Sequence, residues 1–277
     1  MRSRSDRTGA TVAAVTAPPD RTDEELLAIL AGAAGAVAAA LAATPDWGGA
    51  DTVPGQHLSD LAADTAALEV LTGAGLSVFS EESGWTRAEG GLTVVIDPLD
   101  GSTNAARGIS WWATSLCAID DDGPRVALVD DLVHGTRTTA IRGRGAHRDG
   151  VALQASGCTR LEDAIVGLNG LPARHLGWGQ CRALGAAALD LVAVAAGHLD
   201  GFLDCSGDGL APWDHLGAVL ICREAGATVS GFDDRPLHDL SEPVRRPIVA
   251  GATPEIAATL ARRYQAVGPL PLVDHPG

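Results

Sequence analysis

The sequence predicts a layered α/β sandwich, and three observations carry that prediction. Two helical segments come first, between about residues 22 and 71. Short apolar, β-branched runs punctuated by Gly and Asp turns follow to about residue 168 and read as an antiparallel meander. Helices and strands then alternate to about residue 264. A sheet needs helices to cover its faces, so this order suggests stacked layers.

Composition narrows the function. At 277 residues the chain can bury a large core, as one domain or two close lobes. Its net charge of −15 argues against a nucleic-acid partner, because a phosphate backbone needs a basic surface. All 20 basic residues are Arg. Without Lys there is no P-loop nucleotide site and no Schiff-base chemistry. Five Cys without a CxxC spacing suggest neither a disulfide framework nor a zinc site, so a cytoplasmic location is expected.

The elements follow in order. Residues 1–20 lack periodicity and are expected to form a mobile tail. Residues 26–43 carry no charge, but they are mostly Ala and Gly and follow Asp23, Glu24 and Glu25. Acids flanking the segment suit a buried helix capped by Thr22 better than a membrane span. The turn-rich stretch from 45 to 55 is taken as a surface loop. Residues 60–71 form a second helix, ended by Gly73 and Gly75. Residues 76–80 are a short strand delivering Glu81 and Glu82.

The organising stretch is 94–104, Val-Val-Ile-Asp-Pro-Leu-Asp-Gly-Ser-Thr-Asn. Three β-branched residues give a buried strand, Pro98 is expected to stop it, and Gly-Ser-Thr-Asn starts a helix. Asp97 and Asp100 therefore sit at a strand's carboxyl end, where open α/β sheets place ligands. The amides of Gly101, Ser102 and Thr103 could hold an anion. Acids for a hard cation beside amides for a phosphate suggest metal-assisted phosphoryl chemistry.

Residues 109–119 read as a strand carrying Trp111 and Trp112, 120–123 as a hairpin turn, 125–133 and 136–142 as strands, and 164–168 as another. A loop with Arg174 and His175 leads through Arg182 to a helix over 183–196 and a strand over 199–203. An acidic stretch precedes a helix over 213–225, which Pro212 starts and Gly226 ends. Late strands at 228–230 and 247–250 precede a helix over 254–264.

Four segments together resemble the inositol monophosphatase family, within the fructose-1,6-bisphosphatase-like superfamily of metal-dependent phosphatases. They are Ser-Glu-Glu-Ser at 80–83, Asp-Pro-Leu-Asp-Gly-Ser-Thr-Asn at 97–104, Leu-Gly-Ala-Ala-Ala-Leu-Asp-Leu at 184–191 and Pro-Trp-Asp-His-Leu-Gly-Ala at 212–218. Family order and spacing hold over about residues 22–265. The resemblance implies an alternating αβαβα sandwich: one phosphatase domain over 21–265, with lobes of about 21–155 and 156–265, and a C-terminal tail at 266–277.

It also implies a site. Glu81, Asp97, Asp100, Asp214 and the Leu99 carbonyl would ligate two or three Mg²⁺ ions, with Glu81 also orienting the attacking water. Gly101, Ser102 and Thr103 would bind phosphate. Ser102 stands where the family usually has Thr, and its hydroxyl would direct that water while Asp60 held it. The substrate's alcohol portion would meet Asp100, Gly185, Ala186 and an acid supplied by Asp204 or Asp208. Without metals such carboxylates repel each other, and the motifs contain no Arg to pair them.

The loop after Asp204 is about three residues longer than the family pattern, and Ala186 replaces a common Ser or Thr. Both changes fall on the side facing the alcohol. The implied activity is Mg²⁺-dependent hydrolysis of a small phosphomonoester, an inositol or cyclitol phosphate first. Histidinol phosphate and a 3′-phosphonucleotide are the alternatives. A non-hydrolysing binding protein and an altered biosynthetic reaction are the rivals of another class. A homodimer is expected by family analogy; a membrane or nucleic-acid partner is not.

Overall fold

The computed structural model describes residues 21–45, 47–48, 57–89, 91–241 and 245–271. The expected N-terminal tail, most of the 45–55 loop and residues 272–277 lie outside them. Helices α1 (Asp23–Ala43) and α2 (Leu58–Gly73) lead the chain. The acids at its start fix α1: the Thr22 hydroxyl accepts from the Glu25 amide (3.2 Å), and Glu25 accepts from the Thr22 amide (2.9 Å). Although α1 is long and apolar enough to cross a membrane, Leu26, Leu30, Ala33, Ala34, Val37 and Leu41 are buried in the protein.

Then come β1 (Ser77–Ser80), β2 (Gly84–Thr86), β3 (Thr93–Asp100), α3 (Ser102–Arg107), β4 (Ala113–Asp120), β5 (Gly123–Asp131), β6 (Thr136–Ile141), β7 (Ala146–Arg148) and β8 (Val151–Ala152). These strands form one eight-stranded sheet, ordered β2-β1-β3-β4-β5-β6-β7-β8 and antiparallel except for β1 against β3. The second part adds β9 (Ile165–Gly170), β10 (Gln180–Arg182), α4 (Ala187–Ala195), β11 (Gly201–Cys205), α5 (Pro212–Glu224), β12 (Thr228–Gly231), β13 (Ile248–Gly251) and α6 (Pro254–Gln265). Its five-stranded sheet runs β10-β9-β11-β13-β12.

Strand alternation produces the layers. Val94 and Ile96 of β3 face the core shared with α1 and α2, while Val95 faces the core shared with α4 and α5. The second sheet meets α4 and α5 through Phe202, Val229 and Ala250, and covers α6 through Val166, Leu203 and Val249. Five layers result, α-β-α-β-α, as the resemblance implied. Sheets covered on both faces explain why their strands read as continuous apolar runs.

The structure corrects the sequence reading in four places. Pro98 does not stop β3. The strand runs on to Asp100 through a shift in register between Asp97 and Asp100, with the Thr114 hydroxyl donating to the Pro98 carbonyl (2.9 Å). A bulge tolerates a residue that lacks an N–H, and it re-aims the side chains around it. Residues 109–112 precede β4 rather than belonging to it. Residues 183–186 are an irregular approach to α4, not its first turn. Residues 266–271 are not free: the Leu270 amide donates to the Leu171 carbonyl (2.7 Å), and the Ala173 amide to the Gly268 carbonyl (2.9 Å). The hairpin strand β2 was not read from the sequence at all. Trp85 stacks on Phe79 there (4.6 Å between centroids), with the Arg87 guanidinium 3.7 Å above its ring.

Candidate active site

Six stretches of chain converge on one cavity of about 180 Å³. Glu81 leaves the end of β1, where its amide still donates to the Ile96 carbonyl of β3 (3.2 Å). Asp97 lies in the irregular end of β3, and its carboxylate accepts from the Leu99 amide (2.9 Å), a local turn that a short acidic side chain favours. Asp214 is the third residue of α5 and accepts from the Ala211 amide at that helix's start (2.7 Å). Pro212 at the first helical position fixes the turn. One carboxylate oxygen from each of Glu81, Asp97 and Asp214 lies within 4.8 Å of the others.

Asp100 is held differently. Its two oxygens accept from the Ala187 amide (3.2 Å) and the Ala188 amide (2.8 Å), so it caps α4 from across the molecule. Gly101 then turns with φ at +85°, and Ser102 opens α3. A Cβ on Gly101 would lie 3.0 Å from both the Trp111 carbonyl oxygen and the Ala186 Cβ. Asn104 locks this turn by donating to the Trp111 carbonyl (2.9 Å) and the Leu184 carbonyl (2.7 Å). Gly101→Ala is expected to cost at least about 2 kcal/mol, from the left-handed backbone and the overpacking together. Urea denaturation of the variant checks this.

Crowded acids in a poorly solvated place resist ionisation. Burial, then the charges of Glu81, Asp100 and Asp214, holds the Asp97 carboxyl well above the ordinary range. Burial, then Asp214, raises Asp100 likewise. Glu81 is exposed as a residue, yet its carboxyl sits in the cleft, where burial and then Asp214 push it up to about 7. Asp214 rises to about 6 through burial, opposed by the Ala211 amide and by Arg245. An all-oxygen, strongly acidic donor set of this kind suits a hard divalent cation such as Mg²⁺ or Mn²⁺. The chemistry of the residues present therefore fits a metal.

Of the residues proposed from the sequence, Glu81, Asp97, Leu99, Asp100, Gly101, Ser102, Gly185 and Asp214 line the cavity. Thr103 is exposed beside it and Ala186 is buried under Gly101; neither lines it. Asp60 caps its own helix, accepting from the His57 amide (2.8 Å), and makes no hydrogen bond to Ser102. Asp204 is not a free acid facing substrate. It is wholly buried and accepts from the Asn169 amide group (3.0 Å) and the Ser206 backbone amide (3.0 Å). Asp208 is exposed on the loop beyond and does not line the cavity. Arg174 and His175 line a different cavity with Arg263, and Arg182 is exposed beside Gln180.

Sequence reasoning missed four lining residues: Asn169, Ala187, Leu210 and Arg245. Asn169 near the carboxyl end of β9 carried a usable signal, since ligands gather at strand ends. Arg245 carried none. It lies outside the four motifs, which contain no Arg, yet its guanidinium is 3.5 Å from Asp214.

The inositol monophosphatase family model matches residues 62–268. An Escherichia coli (strain K12) relative named Nus factor SuhB is 35% identical over 172 residues, or 56% of this chain. The chain spans only 63% of that relative's length. A fructose-1,6-bisphosphatase/inositol-1-monophosphatase of Archaeoglobus fulgidus is 35% identical over 184 residues, 65% of this chain and 71% of its own. The solved inositol monophosphatase of Anabaena superposes with a TM-score of 0.73 at 26% identity, covering 89% of this chain and 98% of that one. With its model matched over most of the length and its five layers reproduced, the chain belongs to the inositol monophosphatase family.

Proposed function

We propose that the protein is a Mg²⁺-dependent phosphatase that hydrolyses a small phosphomonoester, an inositol or cyclitol phosphate first. The observation that carries this is the Glu81, Asp97 and Asp214 cluster, within 4.8 Å, opening on the same cavity as Gly101 and Ser102. These carboxylates, Asp100 and the Leu99 carbonyl would hold the ions. Bound Mg²⁺ supplies charge for the phosphoryl oxygens and lowers the pKa of attacking water. The Gly101 and Ser102 amides then hold the phosphate, and the Ser102 hydroxyl orients the water. Glu81, whose carboxyl sits near pH 7 before any cation binds, is placed to hold the nucleophile's hydrogen bond. The water oxygen bonds to phosphorus as its proton leaves towards Glu81, the ester P–O bond breaks, and the departing alkoxide oxygen takes a proton from solvent water, to which Glu81 returns the proton it received. A homodimer in the cytoplasm, without nucleic-acid contact, completes this reading.

A second reading has one observation behind it: a 35% identical relative is named a Nus factor, not a phosphatase. On that reading the chain binds a phosphorylated ligand or a macromolecular partner without turnover. Phosphate release from inositol 1-phosphate, an aminocyclitol phosphate, histidinol phosphate, 3′-phosphoadenosine 5′-phosphate and fructose 1,6-bisphosphate separates the two. We expect release that requires Mg²⁺ and stops with a chelator. Mg²⁺ binding seen by calorimetry, with no release from any compound, would favour the second reading.

A further inference from the structure

Among the described residues, no acid other than Glu81, Asp97, Asp100 and Asp214 lines the cavity. Asn169 lines it, and the acid behind, Asp204, has its Oδ1 occupied by the Asn169 amide group and the Ser206 amide. Leu210 adds an apolar contact. The basic residue lining the cavity is Arg245, whose guanidinium lies 3.5 Å from the Asp214 carboxylate.

Arg245 is there because the long loop after Asp204 builds a place for it. Leu210 and Arg246 exchange two backbone hydrogen bonds of 2.9 Å, an isolated antiparallel bridge. The approach is close: Gly209 has φ at +81°, and a Cβ there would lie 2.4 Å from the Arg246 carbonyl carbon. Successive residues of extended chain point to opposite sides. Arg246 turns inward, 6% exposed, and donates to the carbonyls of Arg235 (3.3 Å) and Pro236 (3.2 Å). Arg245 turns the other way, to the cavity, with its Nη1 3.4 Å from the Gly209 carbonyl and 3.5 Å from Asp214. One arginine anchors the segment, and its neighbour is presented at the mouth with only long, poorly made bonds.

We propose that Arg245 is a specificity-determining residue that reads a second anionic group on the alcohol portion of the substrate. This rests on the phosphatase reading above. The substrate class is then a phosphomonoester that carries another phosphate or a carboxylate, such as a polyol bisphosphate or a phosphorylated sugar acid. A guanidinium fork suits either anion. An amine-bearing alcohol would meet the Arg245 guanidinium at the mouth, and no acid beyond the proposed metal ligands lines the cavity among the described residues, so histidinol phosphate and aminocyclitol phosphates are disfavoured. Arg245 leans on Asp214 here. An ester whose second anion reaches the mouth offers the same fork a better partner.

The test compares matched substrates in wild type, Arg245→Gln and Arg245→Lys: fructose 1,6-bisphosphate against fructose 1-phosphate, and inositol 1,4-bisphosphate against inositol 1-phosphate. We expect wild type to favour the bisphosphate of at least one pair in kcat/KM. Arg245→Gln should lower the bisphosphate-to-monophosphate ratio of that pair about tenfold, mainly through KM, and Arg245→Lys should restore part of it. The magnitude is that of one charge-assisted contact at a half-exposed position. Wild type favouring the monophosphate in both pairs would overturn the inference. So would an equal fall for both members of a pair in Arg245→Gln, which would make Arg245 only a counter-ion to Asp214. Both of those outcomes leave the phosphatase reading standing. No release from any of these four, with Mg²⁺-dependent release from another compound of the wider panel, would overturn this inference alone; no release from either set would remove the phosphatase reading and this inference with it.

Discussion

Asp97→Asn and Asp214→Asn are each expected to lower Mg²⁺-dependent phosphate release by about 10³-fold or more while leaving the fold intact. Each carboxylate belongs to the cluster whose oxygens lie within 4.8 Å. Metal-borne stabilisation of transition-state charge is worth several kcal/mol, and each 1.36 kcal/mol is tenfold in rate. Stability should move the other way. Burial and neighbouring acids make the charged form of Asp97 costly in the metal-free protein. An amide of the same shape removes that charge, so metal-free Asp97→Asn should melt above metal-free wild type at pH 8. Loss of activity with a raised melting temperature is the signature of acids kept for function. Near-full activity in either variant would remove these residues from the metal site. Lost activity with a lowered melting temperature would reduce the first effect to damaged folding.

The second large effect is a pH dependence whose sign Mg²⁺ reverses. In the folded, metal-free protein Glu81 sits at about 7 and Asp214 at about 6, with Asp97 and Asp100 also raised. In the unfolded chain the same groups titrate near 4. Between these values the folded state binds more protons, so stability falls as pH rises from about 4 to about 7. Mg²⁺ takes the place of those protons and needs the ionised carboxylates. Its binding should therefore strengthen through the same window. At 100 times its dissociation constant the gain is about 2.7 kcal/mol, or a rise in Tm of about 5 °C for a chain this long. Melting curves from pH 4.5 to 8, with Mg²⁺ or with chelator, check both halves. A metal-free protein whose stability is flat over that range would contradict the crowding of the acids.

How much of this was legible follows from what kind of signal each residue left. The layers were readable because burial on both faces of a sheet leaves continuous apolar runs, and because Thr22, Pro212 and Gly226 punctuate the helices where local chemistry demands it. Glu81, Asp97 and Asp214 were readable because strand ends and a helix start present acids to a common cleft. Pro98 misled because its missing N–H argues for a break, and only the pairing partner reveals that a bulge absorbs it. Asp204 misled for a related reason. Its position along β11 suits a substrate acid, but its orientation is fixed by Asn169, 35 residues away in sequence. Arg245 left no trace, since an arginine pair before a strand is ordinary, and what places it is a backbone bridge to Leu210.

Asp100 gives the assembly an order. Its carboxylate belongs to the first sheet, and the two amides it caps begin a helix 87 residues further on. A chain released with only its first 180 residues made could complete the eight-stranded sheet, yet Asp100 would face solvent and Asp214 would not exist. The acidic cleft therefore needs the chain made as far as α5, because its parts come from both ends of that stretch. A fragment ending before α4 can carry the Asp97 motif whole and still lack the Ala187, Ala188 and Asp214 groups that complete the cleft.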